Sequence, residues 1–273
     1  MEYLNGAWSD GSAQIPVNDR GLLLGDGIFE TLAVRSCRVW RIPAHLARLR
    51  HGAEILGIPL PEADETLTMV LREAAVRNDV DTGLVRLTLT RGPVIGGLAS
   101  PGDASPTLLV TARARAVMDG PLDAVIARTT RRNEASPLAA IKSTSYLDGI
   151  LAAREAHERG AGEALLLNTQ GRLAESTIAN LFLVIDGQLI TPPVNEGALP
   201  GVMRADIMAC ENVQERPISE VDLGRASEAM LTNSGGIRPL VTVNGRPVGE
   251  GVPGAITTQL QTSVWRIQED QDD

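Results

Sequence analysis

The sequence predicts an α+β fold in two lobes. Three observations carry that expectation. Strand-like apolar runs at residues 84–90, 107–112, 163–167 and 180–185 occur in both halves of the chain. Helical patterns fall among them without the regular strand–helix alternation of a (β/α)8 barrel. The stretch Ala116-Val117-Met118-Asp119-Gly120-Pro121 reads as a linker, because Gly-Pro interrupts both helix and strand. The expected division is a small N-terminal α/β domain at 1–115, the linker at 116–121 and a larger C-terminal domain at 122–273.

In order along the chain, Leu4-Asn5-Gly6-Ala7 is a tight turn, since Asn-Gly suits the positive φ of a short hairpin. Residues 44–56 and 65–78 repeat apolar side chains at helical spacing, 84–90 alternates at strand spacing, and 107–112 is a second strand closing the first lobe. Beyond the linker come a helix over 146–159 and the strand pair 163–167 and 180–185, with Thr169-Gln170-Gly171-Arg172 turning between them. Helices near 202–210 and 255–267 complete the lobe, and the polar residues 268–273 read as a disordered tail.

Composition narrows the function classes. No apolar run in the 273 residues approaches the roughly 20 that span a bilayer, and the start, Met1 to Gly6, lacks a basic and then apolar leader. A soluble cytoplasmic protein with no membrane partner is expected. A net charge of −9 with scattered arginines disfavours nucleic acid and favours small-molecule partners. Cys37 and Cys210 have no CxxC spacing and read as buried small hydrophobes. His45, His51 and His157 form no ligand spacing, so no metal is expected.

Lys142 is the only lysine; the other 24 of the 25 basic residues are arginine. Arginine keeps a surface charge equally well, but its guanidinium does not serve as an amine nucleophile or form a carbonyl imine. A coding bias towards arginine that left one ordinary lysine behind explains the count equally well, and context must separate the two. Four apolar residues, Leu138-Ala139-Ala140-Ile141, lead into Lys142, and Ser143-Thr144-Ser145 follow it, placed to cap a helix beginning near Tyr146. Surface lysines seldom occupy such a junction, so the segment points to Schiff-base chemistry.

Other residues suit a phosphorylated carbonyl cofactor. Glu175 stands on the shoulder of a strongly apolar strand, where a carboxylate needs a cation; a hairpin-edge carboxylate is the plainer alternative. Pro200-Gly201-Val202-Met203-Arg204 opens a helix whose N-terminal amides suit a phosphate dianion. Thr232-Asn233-Ser234-Gly235-Gly236 offers hydroxyl, amide and backbone donors, and Arg48 offers a planar fork, although alone these read as a surface turn and a surface arginine.

Taken in order, Asp19-Arg20-Gly21, Gly25-Asp26-Gly27-Ile28-Phe29-Glu30-Thr31, His45-Leu46-Ala47-Arg48-Leu49, Lys142, Glu175 with Asn180-Leu181-Phe182, Gly201-Val202-Met203-Arg204 and Asn233-Ser234 resemble the class IV aminotransferases. The resemblance runs from Asn5-Gly6 to about Pro247. It implies the two-lobed fold type IV of D-amino-acid aminotransferase-like enzymes, with pyridoxal 5′-phosphate held between the lobes of a homodimer. It implies that Lys142 carries the cofactor as an imine and moves the substrate proton, that Glu175 pairs with the pyridine nitrogen, and that Tyr146 reaches the phenolic oxygen. Arg48, Thr177, Ile178, Val202, Met203, Asn233 and Ser234 would hold the cofactor through its phosphate, and Phe29, Thr31, Arg91, Gly96 and Gly235 would face the substrate.

Three chemistries compete within the family. D-alanine transaminases and many 4-amino-4-deoxychorismate lyases resemble one another in an arginine that here is Gly96, and the former add a histidine that here is Leu98. The apolar Gly96-Gly97-Leu98 loop leads to an expected transaminase that moves an amino group between a D-amino acid or (R)-configured primary amine and a keto acid. The lyase, which eliminates pyruvate, is the main alternative, with a loop around Asn233 more like its own; a branched-chain L-amino-acid transaminase is the less favoured one. Arg91, Arg86, Arg35 and Arg238 are the candidates for reading a substrate carboxylate. A Schiff-base aldolase would call for a (β/α)8 barrel, which the pattern lacks, and no missing catalytic residue supports a non-catalytic binding protein.

Overall fold

Asn5 and Gly6 take φ of 48° and 91°, the backbone a two-residue hairpin needs, and join β1 (Glu2–Leu4) to β2 (Ala7–Ser9). The computed structural model describes residues 1–94, 97–99 and 105–265. After the hairpin come α1 (Arg20–Leu24), β3 (Gly27–Arg35), β4 (Arg38–Val39), α2 (Ile42–Leu56), α3 (Asp64–Arg77), β5 (Gly83–Thr90) and β6 (Thr107–Ala114). These strands make a six-stranded sheet in the order β2-β1-β6-β5-β3-β4. Its two faces differ because strand side chains alternate. Ile28, Leu32, Val85, Leu87 and Leu89 pack with Leu46 and Leu49 of α2 and Leu67 and Leu71 of α3 into one core. The opposite face carries Phe29 and Thr31, which pair across to Thr88 and Arg86.

The chain forms two compact units, Met1–Val117 with Ile141–Ser145, and Met118–Ala140 with Tyr146–Asp273. The boundary falls inside the Ala116–Pro121 stretch, and the five residues around Lys142 join the first unit although the chain on either side of them belongs to the second.

The second unit contains β7 (Leu122–Ile126), α4 (Leu147–Glu158), β8 (Glu163–Leu167), β9 (Leu173–Ser176), β10 (Asn180–Ile185), β11 (Gln188–Thr191), α5 (Val202–Cys210), β12 (Val213–Glu215), α6 (Glu220–Arg225), β13 (Glu228–Asn233), β14 (Gly236–Val243), β15 (Arg246–Pro247) and α7 (Ala255–Ser263). Its nine-stranded sheet closes on itself, because β9 pairs with both β8 and β10. Leu165, Leu181, Leu183, Leu231 and Leu240 share one core inside this barrel. Phe182, Val184 and Met230 alternate to the other side and pack with Met203 and Ile207 of α5 and Leu260 of α7.

Several sequence expectations need correction. The runs 163–167 and 180–185 are strands but not partners, since the buried β9 stands between them. Neither cysteine is buried: Cys37 sits in the exposed turn from β3 to β4, and Cys210 ends α5. Helix α7 ends at Ser263 rather than 267, and the tail 268–273 lies outside the described residues. Among the described residues no helix is long and apolar enough to cross a membrane, and no group of His, Cys, Asp and Glu could hold a metal ion.

Candidate active site

Lys142 is placed by backbone pairing. Phe29 N donates to Lys142 O at 2.9 Å and Thr144 N donates to Gly27 O at 2.9 Å, so residues 142–144 run beside the start of β3. The Lys142 Nζ lies 4.6 Å from the centre of the Phe29 ring, and the guanidinium carbon of Arg86 lies 3.6 Å from the same centre. Thr144 Oγ1 donates to Gly25 O at 2.8 Å. The hydroxyl run therefore anchors the lysine segment, and α4 starts at Tyr146 without a side-chain cap, contrary to the expected capping.

Beneath Phe29, on the core side of β3, Glu30 is 1% exposed. Arg48 grips it with a fork, Nε to Oε1 at 2.8 Å and Nη2 to Oε2 at 2.7 Å, while His45 Nδ1 lies 2.6 Å from Oε2. Burial alone would push the Glu30 carboxyl up, but the hydrogen bonds from Arg48 and His45 outweigh it and hold the group at about 2. Burial lowers the pKa of His45 despite Glu30, so near neutral pH the imidazole donates as a neutral ring and the contact is a hydrogen bond rather than an ion pair. Arg48 thus has in Glu30 a partner the sequence did not reveal.

Arg91, expected to face the substrate, is held by the protein on several sides. It is 6% exposed, donates to Asp26 and caps the end of α2 through Leu56 O at 2.7 Å and Gly57 O at 3.0 Å. Arg20 also binds Asp26 and reaches Gly97 O at 2.8 Å. Gly96 lies outside the described residues. Of the four candidate arginines, Arg238 donates to Gly120 O in the second unit, and Arg86 is the one over the ring that Lys142 touches.

In the second unit Glu175 is 7% exposed and meets the cation its apolar surroundings call for: Arg132 Nε lies 3.1 Å from Oε1. Leu199 N donates to Oε2 at 3.0 Å, and Asn180 Nδ2 lies 3.4 Å from the same atom. Asn180 also donates to Leu199 O at 2.8 Å, and a Cβ on Gly201 would fall 2.0 Å from its Oδ1, so only glycine lets α5 begin here. No side chain caps the amides of Val202 and Met203. Thr177 donates to Glu163 at 2.5 Å, and Asn233 Nδ2 lies 3.4 Å from Ile178 O, which brings two expected cofactor loops together. A Cβ on Gly149 would sit 3.5 Å from both the Tyr146 ring and Thr177 O. Gly235 N donates to Asn233 Oδ1 at 2.9 Å, and Ser234 completes that turn. The neighbouring Thr232 Oγ1 is buried with no hydrogen-bond partner. An uncapped helix start and an orphaned hydroxyl in the same unit fit a phosphorylated ligand.

Sequence reasoning missed Glu30, Arg132 and Glu163. Arg132 is one of two adjacent arginines, and nothing in the sequence separates them. The only signal for Glu30 was its place between Phe29 and Thr31, three residues of which alternate ones face opposite ways.

Comparison with known proteins shows the family. The model of the class IV amino-transferase family matches residues 27–243. A Methanocaldococcus jannaschii protein provisionally named a branched-chain-amino-acid aminotransferase is 33% identical over 95% of this chain and 93% of its own. The Escherichia coli branched-chain amino acid aminotransferase superposes with a TM-score of 0.92 at 26% identity, covering 97% of this chain and 93% of that one. The 4-amino-4-deoxychorismate lyase of Pseudomonas aeruginosa superposes at 0.81 with 32% identity over 100% of both chains. The chain belongs to the class IV aminotransferases, enzymes of fold type IV that work with pyridoxal phosphate.

Proposed function

We propose that this enzyme transfers the amino group of an aliphatic α-amino acid to a keto acid, with branched-chain L-amino acids as its first donors. The observation that carries the reading is the Phe29 ring, which bears the Lys142 amine at 4.6 Å and the Arg86 guanidinium at 3.6 Å. An amine that moves a proton and a cation that takes a carboxylate then serve the same small substrate. The names of the relatives support branched-chain donors. The D-amino acid or (R)-amine donor expected from the sequence rested on the Gly96-Gly97-Leu98 loop, and Arg86 supplies a carboxylate contact that the loop lacks.

Bound pyridoxal phosphate supplies an electron sink next to the carbon that loses its proton. Lys142 would hold the cofactor through its Nζ and, with that amine freed by the donor, would take the proton from the substrate Cα. Glu175, held in place by Arg132 and Leu199 N, would pair with the protonated pyridine nitrogen. By the family resemblance, Tyr146 would reach the phenolic oxygen, Arg48, Ile178, the amides of Val202 and Met203, Asn233 and Ser234 would hold the phosphate, and Thr177 would also contact the cofactor. Phe29, Thr31 and Gly235 border the substrate. A cytoplasmic homodimer is the proposed working form, which light scattering of the purified protein tests for its stoichiometry.

A second reading has its own support. The lyase of Pseudomonas aeruginosa matches the full chain at 32% identity, and Thr232-Asn233-Ser234-Gly235 resembles the lyase form of the loop. The test is the visible spectrum of the cofactor-loaded enzyme on adding one donor without keto acid. Bleaching with formation of pyridoxamine phosphate on L-leucine supports the proposal. Bleaching only with D-alanine or (R)-1-phenylethylamine moves the assignment to those donors, and release of pyruvate from aminodeoxychorismate without pyridoxamine phosphate assigns the lyase.

A further inference from the structure

We infer that Glu30 is the positioning residue of the phosphate subsite: it fixes the plane and direction of the Arg48 guanidinium from behind. The inference rests on the reading of Arg48 as a phosphate ligand. Arginine gives up much rotamer freedom when held in one pose, and a phosphate contact made by a wandering side chain is correspondingly weak. Here the pose is set by the protein. Both carboxylate oxygens of Glu30 accept from Arg48, at 2.8 and 2.7 Å. His45, one helical turn before Arg48 on α2, takes the remaining direction on Oε2 at 2.6 Å. Glu30 itself is held by its strand, between Phe29 and Thr31 on β3, so the fork ties α2 to the strand that presents the Lys142 neighbour Phe29.

Stability alone does not explain the trio. A buried ion pair is commonly replaceable by apolar side chains of similar volume without loss, whereas a fork that must orient a guanidinium is not. Charge makes the argument sharper. Glu30 places a negative charge behind Arg48 and so weakens the long-range attraction for a phosphate dianion. If Glu30 only balanced charge in the core, its neutralisation would tighten phosphate binding; if it positions Arg48, neutralisation weakens it. The two accounts predict opposite signs.

The experiment compares dissociation constants of the full-length chain, freed of cofactor by dialysis, for pyridoxal phosphate and for pyridoxal, which lacks the phosphate. Glu30→Gln lowers the preference for the phosphorylated form roughly tenfold, the loss of one charge-assisted contact, with pyridoxal binding held within about twofold. An unchanged or increased preference overturns the inference, as does an equal loss for both ligands, which marks a merely structural role. Glu30→Asp, one methylene shorter with its charge intact, draws the fork back and reduces the preference in the same direction, which keeps the test open if Glu30→Gln does not fold. Arg48→Ala separates the two ideas. If it leaves the preference intact, Arg48 is no phosphate ligand and the reading beneath the inference fails; if it removes the preference and the Glu30 variants do not, the inference alone fails.

Discussion

Glu175 Oε1 and Arg132 Nε face each other at 3.1 Å in the second unit, and Leu199 N closes on the other carboxylate oxygen at 3.0 Å. A carboxylate with two such donors is held in one place, as a partner for a pyridinium requires. Glu175→Gln keeps the shape but removes the charge, and should lower kcat roughly tenfold or more while leaving KM and the melting temperature nearly unchanged. Steady-state kinetics beside a thermal melt decides; an unchanged kcat would remove Glu175 from its role.

Lys142→Arg is the sharpest test of the single lysine. It retains the cation over Phe29 but has no nucleophilic amine. Turnover should vanish and the absorbance of lysine-bound cofactor should be replaced by that of the free aldehyde. Multiple turnovers by this variant would contradict the mechanism.

Arg86 and Arg91 should part company. Arg86→Ala should raise KM for an amino acid donor about tenfold to a hundredfold, the worth of a charge-assisted contact of about 1.5–3 kcal/mol, and leave a primary amine donor unaffected. Arg91→Ala should instead lower stability, because Asp26 and the α2 carbonyls lose their donor. Equal KM effects for both donors in Arg86→Ala would deny it a carboxylate.

Gly201→Ala should cost about 1–3 kcal/mol, since the new methyl meets Asn180 Oδ1 at 2.0 Å and the amide is pinned by Leu199 O. Denaturant melts measure the loss, and cofactor affinity should fall with it, because the displaced Asn180 is also a neighbour of Glu175. A stable variant with full affinity would show that α5 can shift without harm.

Acid should expose Glu30. Its carboxyl is lowered from 4.5 to about 2 in the folded chain, so its contribution to stability is complete above about pH 4.5 and is lost as pH falls towards 2. Glu30→Gln should flatten the dependence of melting temperature on pH across that window. A slope equal to that of the unaltered protein would mean that other carboxylates govern it.

Lys142 and Glu175 were legible because each breaks a local pattern: one lysine among arginines, one carboxylate in an apolar run. Helices α2, α3 and α5 were legible because apolar periodicity is local. The partners were not. Which arginine meets Glu175, and that Glu30 meets Arg48 eighteen residues away, are decided by register across a sheet or between a helix and a strand, and a sequence carries register only weakly. For the same reason β9 was invisible: four residues, Leu173–Ser176, have too short a pattern to show that they pair on both sides. The cysteines were misjudged because composition favours burial, while Cys37 lies in the turn between β3 and β4 and Cys210 at the end of α5, both at the surface.

The passage of Ile141–Ser145 into the first unit sets an order of events during synthesis. The sheet of the first unit can assemble from residues 1–117, but its pairing at Gly27–Phe29 waits for a segment made more than a hundred residues later. A ribosome that has released only the first unit's own strands has therefore released a scaffold without its amine. The reactive group reaches the first unit as a contact of high sequence separation, and a chain ending before residue 142 would lack the amine.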